Sequence, residues 1–314
     1  MLVYIPTSVS TVETVSRLFA AKPGILATFE SLPRKLFKTS DVQQILAENR
    51  GPWGVSGDTS FNGFLEFLLH QTPCARLDIR QVTNPRAPVL TRYAWGRVSQ
   101  YHVGLSIKPN AYLSHGTAVH LHGLSNQLSS TIYVNQEQTP KPPPRGPLQQ
   151  AGIDRAFSGK QRQSRLEFEW VPPDPVERDL WRFLIINGKH TNRLGVEPIP
   201  DGTGGTLDVT SLERTLIDIV VRPYYSGGVY QVLEAYRGAK RRASVDTIIR
   251  LLKELDYIYP FHQAIGFYMA KAGFEKSQYD QLRDLGMEFD FYLAHHVRER
   301  EYDSEWRLHV PKGL

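Results

Sequence analysis

A chain of 314 residues, 41% of them hydrophobic, can bury a sizeable core, and its length favours two domains over one. No run approaches the roughly 20 apolar residues needed to span a bilayer, and the opening MLVYIPTSVSTVETVSRLFAA lacks the charged start and apolar block of a signal peptide, so a cytoplasmic protein with no membrane partner is expected. The single cysteine, Cys74, excludes an internal disulfide and a cysteine-based metal cluster and reads as a packed side chain. The net charge of +5 is unevenly placed: residues 1–165 hold 18 basic against 9 acidic side chains, +9, and residues 166–314 hold 19 against 23, −4. A basic half fits contact with a polyanion, because Lys and Arg release condensed counterions from phosphates, and it fits an ordinary solvated face equally well.

Local patterning favours the polyanion. STVETVSRLFAAKPG carries apolar groups at Val12, Val15, Leu18 and Phe19 and closes on Pro23-Gly24, which predicts a first short helix. KTSDVQQILAENRGPWG pairs Ser40 with Gln43 as a capping box, sets Val42, Ile45 and Leu46 on one face and stops at Gly51-Pro52, a second helix. DTSFNGFLEFLLHQTP places Phe61, Phe64, Leu65 and Leu68 together and leaves Thr59, Asn62, Glu66 and His70 toward the other side, a third. ARLDIRQV and VLTRYAW then alternate like two strands joined by TNPRAP.

Three helices followed by a hairpin point to a winged helix-turn-helix over residues 1–100, whose third helix enters the major groove of duplex DNA while the hairpin meets the backbone. On that reading Thr59, Ser60 and Asn62 carry sequence choice. Arg34, Lys35, Lys38 and Thr39, with Arg80, Arg86 and Arg92 on the hairpin, carry mainly affinity.

The next segment, YLSHGTAVHLHGLS, sets His115, His120 and His122 five and two positions apart. Metal-binding pairs on a helix favour a spacing of four, and no Asp or Glu lies between residues 97 and 136, so packing and hydrogen bonding are expected rather than a metal site. TPKPPPRGPLQQAGIDRAFSGKQRQSR, residues 139–165, carries six basic side chains against Asp154, +5, and reads as a mobile basic loop that either adds phosphate contacts or is a solvated linker.

YLSHGTAVHLHGLSNQLSSTIYV and, at 210–236, TSLERTLIDIVVRPYYSGGVYQVLEAY together resemble the AbiEi family of abortive-infection antitoxins, over roughly residues 10–295. The resemblance implies an α+β protein: a winged helix-turn-helix, then a mixed α/β antitoxin domain over 101–314 with a helical C-terminal layer. It implies an antitoxin that represses its own operon by binding promoter repeats and counters a nucleotidyltransferase-like toxin, without the two needing a stable complex.

In the second segment Thr210 and Glu213 form a capping box, Leu212, Leu216, Ile217, Val220 and Val221 an apolar stripe, and Arg214 and Asp218 an i, i+4 ion pair expected to be scaffold. Pro223 ends that helix, and a Gly-Gly hinge starts another whose basic end is Lys240, Arg241 and Arg242. Arg214, Asp218 and a surface around Tyr225 and Arg237 are the candidate antitoxin residues. The rest is helical and acid-leaning. Its tyrosines, Tyr224 to Tyr268, read either as a protein-binding face or as a wet core margin. No Walker loop, zinc spacing or Gly-Ser followed by Asp-x-Asp is present, so no catalytic residue or cofactor is assigned. The alternatives are an interaction adaptor or a nucleic-acid-processing enzyme in phage defence.

Overall fold

The first helix, α1 (Val9–Ser31), does not stop at Pro23-Gly24 as the sequence suggests. Leu18, Ala21, Ile25 and Phe29 form one buried stripe across the proline. Burying a large apolar side chain contributes roughly 1.5–3 kcal/mol, so Ile25 and Phe29 together offset the ~3 kcal/mol that an internal proline costs. Gly24 leaves room for Trp53, whose ring would lie 3.0 Å from an added Cβ, and Trp53 Nε1 donates to Thr28 Oγ1 at 3.2 Å. The structure, a computed structural model, describes residues 9–125, 129–142, 146–172 and 180–314, with side chains from Arg17 onward. The side chains of Val12 and Val15 and the Pro143-Pro144-Arg145 stretch lie outside that description.

The fold is mixed α+β, in two compact units: residues 1–106 with 168–181, and residues 107–167 with 182–314. In the first, α1 is followed by β1 (Leu36–Phe37), α2 (Thr39–Asn49), α3 (Phe61–Gln71), β2 (Cys74–Gln81), β3 (Leu90–Trp95) and α4 (Gln100–Ser106). The strands form an antiparallel sheet in the order β1-β3-β2, registered by Leu36↔Ala94 and Cys74↔Trp95. Val42, Leu46, Phe64 and Leu68 meet the α1 stripe in one core. The second helix starts two residues earlier than its expected Ser40–Gln43 box, because the Lys38 N–H donates to Asp41 Oδ2 at 2.7 Å. Ser60 caps α3 by accepting from the Gly63 N–H at 3.1 Å. Cys74 is buried, which pushes its thiol up to about 11.

The second unit holds β4 (Tyr112–Leu113), α5 (His115–Leu121), β5 (Thr131–Glu137) and α6 (Gln150–Ser158). The chain then enters β6 (Glu167–Trp170), which returns to the first unit and pairs with β2 at Arg80↔Glu169. It resumes with β7 (Trp181–Gly188), β8 (Val196–Pro200), β9 (Thr206–Thr210) and α7 (Leu212–Val221). A 3-10 turn at Pro223–Ser226 leads to α8 (Val229–Ala239), α9 (Val245–Leu255), α10 (Phe261–Lys271) and α11 (Lys276–Tyr279). The chain ends in β10 (Phe291–Tyr292), β11 (Arg300–Asp303) and β12 (Leu308–Pro311), a second small sheet of order β10-β12-β11.

The larger sheet of this unit is mixed: β7 runs parallel to β5, β5 antiparallel to β4, β4 parallel to β9 and β9 antiparallel to β8. α7 is sequestered in the core through Leu216, Ile217, Ile219 and Val220. α9 contributes the stripe Val245, Ile248, Leu251 and Leu255, and α10 is buried along most of its length. Gly266 admits Trp306 so closely that an added Cβ would sit 2.1 Å from its ring.

Candidate functional site

The sequence-assigned DNA residues separate by exposure in the first unit. Asn62 is exposed in the first turn of α3, and Ser60 is exposed beside it while capping the helix. Thr59 does not face outward: it is 1% exposed, and its hydroxyl has no hydrogen-bond partner among the described residues. It is held inside because Arg50 reaches from the end of α2 to donate to the Thr59 carbonyl at 2.9 Å and the Ser56 carbonyl at 2.9 Å, clamping the α2–α3 connection. The expectation that Thr59 reads bases is thereby corrected.

The cations divide in the same way. Arg80 and Arg86 are exposed, Arg80 on β2 and Arg86 in the connection from residue 82 to residue 89. Asn84 shapes that turn, its Oδ1 accepting from the Arg86 N–H and its carbonyl from the Ala87 N–H. Arg92 is turned inward: it is 7% exposed and donates to the Ser106 carbonyl from Nη2 at 2.7 Å and from Nε at 3.3 Å. Its expected phosphate contact is corrected to a tie between β3 and α4.

Arg34 pairs with Asp41 at 2.9 Å with its side chain largely exposed, and Lys38 is exposed at the start of α2. Lys35 is spent on the C-terminus of α1, donating to the carbonyls of Glu30 at 2.6 Å and Phe29 at 3.2 Å. Thr39 is half-buried at the first position of α2. Arg76, which sequence reasoning passed over, lies with Arg80, Asp78, Glu169 and Trp170 around a shallow pocket of about 360 Å³ and pairs with Asp78 at 3.0 Å. Its place beside Arg80 on the strand alternation was the available signal.

In the second unit the two segments 112–125 and 210–236 meet, with His122 Nε2 at the Thr210 carbonyl and the His115 ring against Tyr225, and each carries buried polar ties. Arg214 Nε donates to Asp218 Oδ1 at 2.8 Å, both side chains under 10% exposed, and Arg214 Nη1 reaches the Leu194 carbonyl at 2.5 Å. Burial works against the Arg214 charge, and Asp218 together with Tyr257 and Tyr112 outweighs it, so the guanidinium is held above its ordinary value. Tyr112 donates to Glu137 Oε1 at 3.1 Å, and Glu137 also accepts from the Thr191 hydroxyl, the Thr191 N–H at 2.9 Å and the Arg193 N–H at 3.1 Å. Burial acts to raise Glu137, and these donors outweigh it, keeping the carboxylate below its usual range.

His115 and His122 are hydrogen-bonding and packing groups, while the buried Nδ1 of His120 has no hydrogen-bond partner among the described residues. His115 is buried with φ +52°, its Nδ1 2.8 Å from Ser114 Oγ and its ring 5.5 Å from that of Tyr225. Burial lowers it to about 4 against an opposing pull from Asp218, with Arg222 and Arg214 adding to the lowering, so it is neutral at pH 7. His122 Nε2 lies 2.7 Å from the Thr210 carbonyl. Among the described residues no three His, Cys, Asp or Glu side chains are grouped to hold a metal ion.

Tyr225 belongs to this interior, not to a surface. It is 1% exposed, and its phenolic oxygen accepts from the Ser164 N–H at 2.7 Å. Tyr236 and Tyr268 are buried as well, whereas Tyr224 and Tyr230 are exposed. Arg237 is exposed and pairs with Glu234 at 2.5 Å. The segment expected as a mobile loop contains α6, whose Ile153 and Phe157 are buried, followed by a stretch tied to α7 and the turn after it.

The two-unit α+β fold is similar to that of the RV2827C protein from Mycobacterium tuberculosis, with a TM-score of 0.54 and 13% identity, covering 98% of this chain and 92% of that one. At that identity the likeness speaks to the fold alone. Neither protein-family models nor curated proteins give a match. Among the described residues no helix is long and apolar enough to cross a membrane.

Proposed function

We propose that the chain is a duplex-DNA-binding antitoxin that represses its own operon and counters a nucleotidyltransferase-like toxin. The observation that carries the DNA half is the order α1-β1-α2-α3-β2-β3 with an antiparallel β1-β3-β2 sheet, which supports reading the first unit as a winged helix-turn-helix. The capped start of α3 presents Asn62 with its side chain exposed, and the β2–β3 connection presents Arg86. Asn pairs with adenine edges in the major groove, and unpaired arginines neutralise phosphates without reading sequence. Arg34, Lys38 and Arg80 add cations to the same unit.

The antitoxin half rests on the resemblance of residues 112–125 and 210–236 to the AbiEi family. The meeting of those segments at Tyr112, His115, Arg214, Asp218 and Tyr225 supports reading them as one scaffold. Exposed residues on α8, Arg237 among them, then offer contacts to a partner. The test is growth of cells expressing the nucleotidyltransferase encoded beside this chain, with a reporter driven by the operon's promoter. The full chain is expected to restore growth and silence the reporter. Asn62→Ala with Arg80→Gln and Arg86→Gln is expected to release the reporter and still restore growth. No rescue by the wild-type chain, or loss of rescue in that variant at unchanged melting temperature, would overturn the division of labour.

A further inference from the structure

We infer that the second unit carries a binding face for a single-stranded nucleic acid, formed by Lys160, Arg162, Arg165 and Tyr224. Two segments far apart in the chain build it. Gln161 Nε2 donates to the Val221 carbonyl at 3.2 Å, the Ser164 N–H to the Tyr225 phenolic oxygen at 2.7 Å, and Ser164 Oγ to the Ile185 carbonyl at 2.5 Å. These ties hold residues 160–165 against the end of α7 and the turn that follows. Residues 155–166 and 219–233 contain no Asp or Glu. Lys160, Arg162 and Arg165 are exposed, and among the described residues their side chains make no ion pair or hydrogen bond. The four flanking acids are committed elsewhere: Asp218 to Arg214 in the interior, Glu167 to Arg182 at 3.7 Å, Glu234 to Arg237, and Asp154 as acceptor from Gln150 at 2.8 Å and the Tyr292 hydroxyl at 3.0 Å.

A solvated basic face needs no aromatic ring, and this one has Tyr224. It is 54% exposed and is supported edge-on by the buried Tyr225, with ring centroids 5.5 Å apart. Tyr133 also packs on Tyr225, 5.9 Å between centroids, so the exposed ring adjoins a cluster of tyrosines. Cations that follow a phosphate backbone beside a ring on which an unstacked base can lie are the pairing that single strands select. A duplex keeps its bases stacked and has no use for Tyr224. An acidic peptide would use the cations and leave the ring idle.

The test uses the full chain and a fluorescein-labelled 12-nucleotide oligouridine, followed by anisotropy at several salt concentrations, with inorganic polyphosphate and poly-glutamate as base-free polyanions. The wild type is expected to bind oligouridine with an affinity that falls steeply with salt. Arg162→Gln with Arg165→Gln should weaken it about tenfold or more at unchanged melting temperature. Tyr224→Ala should weaken oligouridine about fivefold or more and leave polyphosphate unaffected, with Tyr224→Phe retaining affinity. Asn62→Ala should leave oligouridine binding intact, which separates this face from the duplex reading of the first unit. The inference fails if the wild type does not bind oligouridine or the arginine variant binds as well as wild type. It fails equally if Tyr224→Ala weakens polyphosphate as much, or if poly-glutamate binds as tightly as oligouridine through the same residues.

Discussion

Asn62 and Thr59 lie three positions apart at the start of α3 and have opposite fates, exposed and buried. Asn62→Ala is expected to remove roughly 1–3 kcal/mol of discrimination between the operon's own DNA and random duplex, measured by competition binding. Thr59→Val buries a methyl where an unpartnered hydroxyl sits, so it should leave DNA binding unchanged and hold or raise the melting temperature. Arg214→Ala strands the Asp218 carboxylate in the interior and should cost roughly 3–5 kcal/mol of stability in denaturant unfolding. His115, lowered to about 4 from an ordinary 6.5, makes the folded chain bind fewer protons than the unfolded chain between those values. Stability from this group is therefore complete above about pH 6.5 and is lost as the pH falls toward 4. His115→Asn, which tolerates the positive φ, should flatten that part of the stability profile.

The same contrast between local signal and tertiary packing decides the elements. The apolar spacing of α3 and the alternation of β2 and β3 were legible in the sequence because each obeys a local rule. α1 was misread as short, since Trp53 and the buried Ile25 and Phe29 that carry it past Pro23 are contacts a local window does not contain. β6 and the β10-β12-β11 sheet were missed because strands of two to four residues leave too little alternation to read. At the candidate site, Asn62, Arg80 and Arg86 were legible as exposed polar positions. Thr59 and Arg92 were not, because inward rotation is set by Arg50 and by the Ser106 carbonyl. Gly266→Ala is the matching element-scale prediction: a methyl pressed on Trp306 should destabilise the α10 packing by roughly 1–3 kcal/mol or more, visible as a lowered melting temperature.

For the whole molecule, the two halves carry unequal charge, +9 over residues 1–165 and −4 over residues 166–314. Part of the N-terminal excess, Lys160, Arg162 and Arg165, lies in the second unit, so a charge count along the chain does not follow the division into units. Duplex binding by the first unit is the central claim, and each phosphate neutralised should add about 0.9 to the steepness of affinity against salt. The direct measurement is the affinity of the full chain for DNA upstream of its own gene and for random duplex across a salt series, beside Arg80→Gln with Arg86→Gln. The account predicts preference for the upstream DNA, a steep salt dependence, and a slope shallower by about 2 in the double variant. Equal binding to both DNAs, or a slope unchanged by removing both arginines, would contradict it.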